Sequence, residues 1–153
     1  MLGRALTTTL LIAAVTTPAR AQEKKITAAD LPAAVRATAQ AQSKGATVRG
    51  YSRETENGRV EYEVELLVGG LTRDVSIGAD GAVLEIEQQV PTDSLPPAVR
   101  DALMKKAGAG KITKVESLTK GGKLVAYEAA IVTAGKRSEV QVGPDGTALS
   151  HEE

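Results

Sequence analysis

Leu31-Pro32-Ala33-Ala34-Val35-Arg36 returns as Leu95-Pro96-Pro97-Ala98-Val99-Arg100, a shift of 64 residues. Farther along, Asp80-Gly81 returns as Asp145-Gly146, a shift of 65, so about one residue is inserted between the two landmarks. Around each hexapeptide, apolar and small residues recur with helical spacing: Leu31, Ala34, Val35, Thr38 and Ala39, then Leu95, Ala98, Val99, Ala102 and Leu103. Asp30 and Ser94 precede them as expected N-caps, and proline is tolerated in the first turn, where amide hydrogens have no helical partner. The first helix is predicted to run to about Ser43 with Gly45 ending it, and the second to close at Gly108 and Gly110.

After each helix the period changes from 3.6 to 2. Val60, Tyr62, Val64 and Leu66 alternate with Glu61, Glu63 and Glu65, the pattern of a half-buried strand. Asn57-Gly58 before it is a two-residue hairpin signal, and Gly121-Gly122 holds the same place in the second copy. Strands are predicted at Leu71 to Ile77 and Ala82 to Gln88, then near Ile112 to Leu118, Leu124 to Val132, Arg137 to Val142 and Thr147 to His151. Gln22 to Lys25 reads as a mobile polar lead. The expected fold class is therefore α+β: two repeats of one helix followed by a four-stranded antiparallel meander, with the helices packed on one face of the sheet. Val90-Pro91-Thr92-Asp93 would link the meanders, and Pro91 discourages further ladder pairing there.

The first 21 residues have the pattern of a secretory signal: Arg4, an apolar stretch centred on Leu10-Leu11-Ile12-Ala13-Ala14-Val15, and Ala19-Arg20-Ala21 before a cut at Gln22. The apolar stretch is shorter than the ~20 residues that span a bilayer, and nothing later is long enough, so no membrane span is expected after cleavage. The expected organisation is signal peptide 1–21, first repeat 22–90 and second repeat 91–153, in a periplasmic or secreted protein. The 132 residues after the cut carry 17 basic and 19 acidic side chains, which argues against a nucleic-acid partner. The chain has no cysteine, which removes disulfides, thiol catalysis and thiolate metal sites together.

Asn57-Gly58-Arg59-Val60-Glu61-Tyr62-Glu63-Val64-Glu65, followed by Asp80-Gly81-Ala82-Val83-Leu84-Glu85-Ile86-Glu87, resembles the PepSY pattern. The second copy keeps Gly121-Gly122-Lys123-Leu124, Tyr127-Glu128 and Asp145-Gly146-Thr147-Ala148-Leu149, and departs from it at Ala129-Ala130. Two such units resemble the PepSY-like group related in shape to the secreted beta-lactamase inhibitor protein. The resemblance implies a non-catalytic module that inhibits, chaperones or modulates another exported protein or peptide, such as a protease. Beta-lactamase inhibition itself transfers poorly, because the inhibitor protein presents several aromatic anchors and this chain has only Tyr51, Tyr62 and Tyr127.

Candidate chemistry is sparse. His151, the single histidine, stands beside Glu152 and Glu153, outside any helical zinc motif, and too few preferred ligands remain for a conventional zinc site. Asp80 and Asp145 read as turn residues, since Gly78-Ala79-Asp80-Gly81 lacks the alternating acids of an EF-hand loop. No catalytic residue, metal site or cofactor is expected, and the protein reads as a non-enzyme. Candidate binding residues are Glu61, Glu63, Glu65, Glu85 and Glu87, placed on a solvent-facing sheet. An alternative use of that acidic face is as a periplasmic sensor of a small ligand or a cation.

Overall fold

Period-two alternation becomes strand through most of its length. The computed structural model describes residues 23–56, 58–151 and 153. The expected signal peptide, together with Gln22, Asn57 and Glu152, lies outside the described residues. Eight strands are described, in chain order: β1 (Lys24–Ile26), β2 (Thr47–Glu56), β3 (Arg59–Val68), β4 (Leu71–Gly78), β5 (Val83–Gln89), β6 (Lys111–Lys120), β7 (Lys123–Thr133) and β8 (Lys136–Val142). They form one sheet in the order β1 to β8, every neighbouring pair antiparallel. Two α-helices interrupt the meander, α1 (Ala33–Gln42) between β1 and β2 and α2 (Pro97–Ala107) between β5 and β6.

The expected fold class is corrected by this topology. The chain does not form two repeats of a helix followed by a four-stranded meander. It forms a single eight-stranded antiparallel sheet with two helical excursions. Three local differences account for this. Lys24–Ile26 is a strand rather than a mobile lead, because it pairs with Tyr51, Ser52 and Arg53. Thr147 to His151 is not a strand. Asp145 Oδ1 accepts both the amide and the hydroxyl of Thr147, at 3.0 and 2.7 Å, and the chain leaves the ladder there. Finally, β5 pairs with β4 on one side and β6 on the other, so Pro91 ends the strand without ending the sheet.

The helix starts also differ by one short element. Single turns of 3-10 helix at Ala28–Asp30 and Thr92–Ser94 come first, and Pro32 and Pro96 occupy the N-cap positions. Asp30 caps the 3-10 turn instead, accepting the Thr27 amide at 2.8 Å and the Thr27 hydroxyl at 2.7 Å. The Gly69-Gly70 and Gly121-Gly122 turns have positive φ at both residues, the backbone that lets a two-residue loop follow strand twist.

The core lies on one face in two clusters. Leu31, Val35 and Ala39 of the first helical region pack on Val64, Leu66, Val75 and Ile77. Leu95, Val99 and Leu103 pack on Val115, Ala129, Ile131 and Val142. The pairing runs from Val64 to Val75 to Ile86 to Thr119, so both clusters share the same side of the sheet. Tyr51 and Tyr62 join the first cluster and Tyr127 the second, which puts every aromatic ring of the chain on the helix side.

Candidate functional site

The opposite face carries the acids, and none of the described helices lies over it. Alternation along β3, β4 and β5 sends Glu61, Glu63, Glu65, Asp74, Ser76, Glu85, Glu87 and Gln89 to this side. Two rows result. Glu65, Asp74 and Glu87 stand opposite one another across β3, β4 and β5, and the row continues into Leu118 and Ala126 of β6 and β7. One residue pair along, Gln89, Glu116, Glu128 and Gln141 form a second row from β5 to β8.

All five residues expected from the sequence share this face, but they do different things. Glu65 is bridged by Lys25 of β1, which also holds Glu23 at 2.8 Å. Glu85 faces Lys120 at 3.4 Å, and Lys120 in turn reaches Glu153 at 4.0 Å. Glu61 sits at the end of β3 opposite Gly78, away from the rows. All five are half-buried, Glu63 and Glu87 with no ion pair to a lysine given above.

Burial drives the Glu87 carboxyl up to about 8, helped by the negative charges of Glu116, Glu85, Glu128 and Asp74. Leu118, directly opposite it and 2% exposed, is part of what keeps water away. Burial likewise raises Glu63 to about 7, with Asp74 the next contributor. Asp74 and Glu128 are raised too, again chiefly by burial. Lys114 is opposed by its own burial, yet its hydrogen bond to Glu116 and the surrounding acids hold it above the usual lysine range.

These shifts set a direction for stability. In the unfolded chain a glutamate loses its proton near pH 4.5, whereas folded Glu87 keeps its proton up to about 8 and Glu63 up to about 7. The folded state binds more protons between those limits, so stability is full below pH 4.5 and falls as pH rises toward 8. Asp30, held low by the Thr27 amide, and Asp145, held low by the Thr147 hydroxyl, act oppositely, and their contribution is lost below the ordinary aspartate value of 3.8. Stability should therefore peak near pH 4, between those two limits. Urea unfolding at pH 8.5 should give a value lower than at pH 5 by on the order of 2 kcal/mol, after discounting for solvent screening. Glu87→Gln should flatten much of that difference, and an unchanged slope in the variant would show that Glu87 titrates normally.

Asp74, Glu116 and Glu128 were not singled out from the sequence. Thr72, Asp74 and Ser76 alternate with Arg73, Val75 and Ile77, so the polar side of β4 was readable, but the register that puts Asp74 beside Glu87 was not. Glu116 is 4% exposed, the most buried acid described. Its Oε2 accepts Lys114 Nζ at 2.7 Å, and its Oε1 is buried with no hydrogen-bond partner among the described residues. Oxygens from Asp74, Glu87 and Glu116 all lie within 4.8 Å of one another. Glu128 is tied to Gln141 Nε2 at 2.8 Å, and Gln141 Oε1 accepts the Glu153 amide, which brings the chain end back to this face. His151 is exposed, with Glu153 3.9 Å away, and is not joined to the acidic rows.

No family model matches the chain, and no curated protein matches it. Solved structures do. A Bacteroides fragilis BLIP-like protein aligns with a TM-score of 0.58 at 20% identity, over 80% of this chain and 85% of its own. The fold is BLIP-like. A Bacteroides ovatus protein of the DUF2874 family gives 0.62 at 17% identity, over 78% of this chain and 85% of that one. A Bacteroides eggerthii protein provisionally assigned to the periplasm gives 0.64 at 15% identity, over 78% and 86%. Among the described residues, no helix is long and apolar enough to cross a membrane.

Proposed function

We propose that this BLIP-like chain is an exported, non-catalytic binding protein that engages a basic surface of another exported protein through the acidic face of its sheet. The observation that carries the reading is a set of half-buried carboxylates, with Glu87, Glu63, Asp74 and Glu128 all raised, on a face that none of the described helices covers. Burial and neighbouring acids make these carboxyls hard to ionise in the free protein, and a cationic partner would stabilise their charged form. Export is supported by the signal pattern at residues 1–21 and by the periplasmic assignment of a protein with the same fold. Resemblance to PepSY units favours modulation or chaperoning of a partner over catalysis.

With all three tyrosines on the helix side, the acidic face has no aromatic anchors. Recognition by this face is therefore electrostatic, with weak affinity and strong dependence on salt. The test is a crosslinking pull-down from the exported fraction of the source organism, with mature wild-type chain and the triple variant Glu63→Gln, Glu65→Gln, Glu85→Gln as baits. A partner with a basic surface, captured about tenfold less by the variant and released by salt, is the expected result. Equal capture by both baits, or none by wild type, would overturn the reading.

A further inference from the structure

We propose that Asp74, Glu87 and Glu116 form a calcium site on the joint between β5 and β6, where the strands after α2 meet those before it. The inference goes beyond partner binding and does not depend on it. Two independent observations converge. One is the mutual approach of the three carboxylates, within 4.8 Å. The other is Glu116 Oε1, a buried acceptor on one of the three carboxylates that nothing among the described residues satisfies. A buried acceptor without a donor is a standing loss of free energy, and a bound cation satisfies it directly.

The donor set selects the ion. All three donors are hard carboxylate oxygens, with no imidazole or thiolate, which suits calcium, magnesium or manganese and disfavours zinc and copper. Three oxygens within 4.8 Å of one another leave an ion no more than about 2.8 Å from each, a gap that small side-chain shifts close to the calcium range of about 2.3–2.6 Å. Magnesium requires about 2.1 Å and nearly ideal octahedral angles, which side chains fixed on three strands do not readily supply. Lys114 occupies the other oxygen of Glu116, so the site cannot draw on all its carboxylate charge. Water must complete the coordination. Affinity should then fall in the range of about 0.1 to 1 mM typical of extracellular calcium modules.

Thermal melts and calorimetry on the purified mature chain test this with calcium chloride, magnesium chloride, and sodium chloride at matched ionic strength. The expected result is a melting temperature raised by about 4 °C at ~5 mM calcium, with a saturable calcium-binding heat in calorimetry. Magnesium should do much less and sodium nothing. Asp74→Asn and Glu116→Gln should both abolish the response. Asp93→Asn, on an exposed turn, should respond like wild type. Absence of a calcium shift in folded wild type, or an equal shift in both site variants, would overturn the site. An equal response to magnesium would overturn the choice of calcium. The pull-down variants spare all three ligands except through shared charge, and the melts contain no partner. Either reading can therefore fail alone.

Discussion

Gly146→Ala is expected to destabilise the protein by about 3 kcal/mol or more and to lower its melting temperature by roughly 10 °C. Gly146 has φ +84, where an L-residue is strained by about 1–2 kcal/mol. A Cβ there would lie 2.6 Å from the Ala98 carbonyl oxygen and 2.7 Å from its carbon. Both atoms are helix backbone of α2, so relief requires the turn or the helix to move. Gly81→Ala supplies the internal control. It has φ +87 and the same kind of neighbour, the Ala34 carbonyl of α1, but at 3.0 and 3.1 Å. It should pay mainly the conformational term, about 1–2 kcal/mol. Urea unfolding of both variants checks the order. If Gly81→Ala were the more damaging, the tighter docking of the second turn under its helix would be refuted.

The two turns are alike in sequence and in bonding. Gly78 donates to Ala82 and Gly143 to Thr147, each at 2.8 Å, and each aspartate caps the amide two residues on. Beyond the turns the likeness ends. After Asp80-Gly81 the segment Glu85 to Gln89 finds β6 as a neighbour, whereas the described residues after Asp145-Gly146 have no further strand to pair with. A strand is a property of two segments, so alternation alone overstates Thr147 to His151. The converse error at Lys24–Ile26 has the same origin. Two lysines have little apolar pattern, yet pairing with β2 and the Lys25 bridge to Glu65 hold the segment in the sheet.

The acidic face was half legible for a related reason. Within one strand, Glu61, Glu63 and Glu65 declare a common side by period two. Between strands, register decides which acids meet, and it depends on bulges such as the one between Ser76 and Ile77. Asp74 and Glu116 are 42 positions apart and meet only because β5 lies between β4 and β6. Helix stripes were the easier reading, since Leu31, Val35 and Ala39 and then Leu95, Val99 and Leu103 are buried positions within one short stretch of chain each.

Leu66→Ala and Leu103→Ala should each cost about 2–5 kcal/mol, because each removes a side chain 1% exposed or less from a closed cluster. Their consequence together separates two views of the molecule. Leu66 belongs to the cluster under α1 and Leu103 to the cluster under α2, and no residue is shared between the clusters. If the halves were independent beads, each variant would shift one of two transitions and leave the other in place. The ladder from Glu85–Lys120 to Gln89–Glu116 instead ties β5 to β6 continuously, so loss of either half exposes a long hydrogen-bonding edge on the other. Each single variant should therefore unfold in one cooperative transition at lower urea, with losses that add in the double variant, as expected for distant sites in one folding unit. Since total stabilities of such proteins are commonly about 5–15 kcal/mol, the double variant should be largely unfolded at 37 °C. Two resolved transitions in Leu103→Ala, with the earlier one sparing the near-ultraviolet signal of Tyr51 and Tyr62, would show that the shared sheet does not couple the two cores.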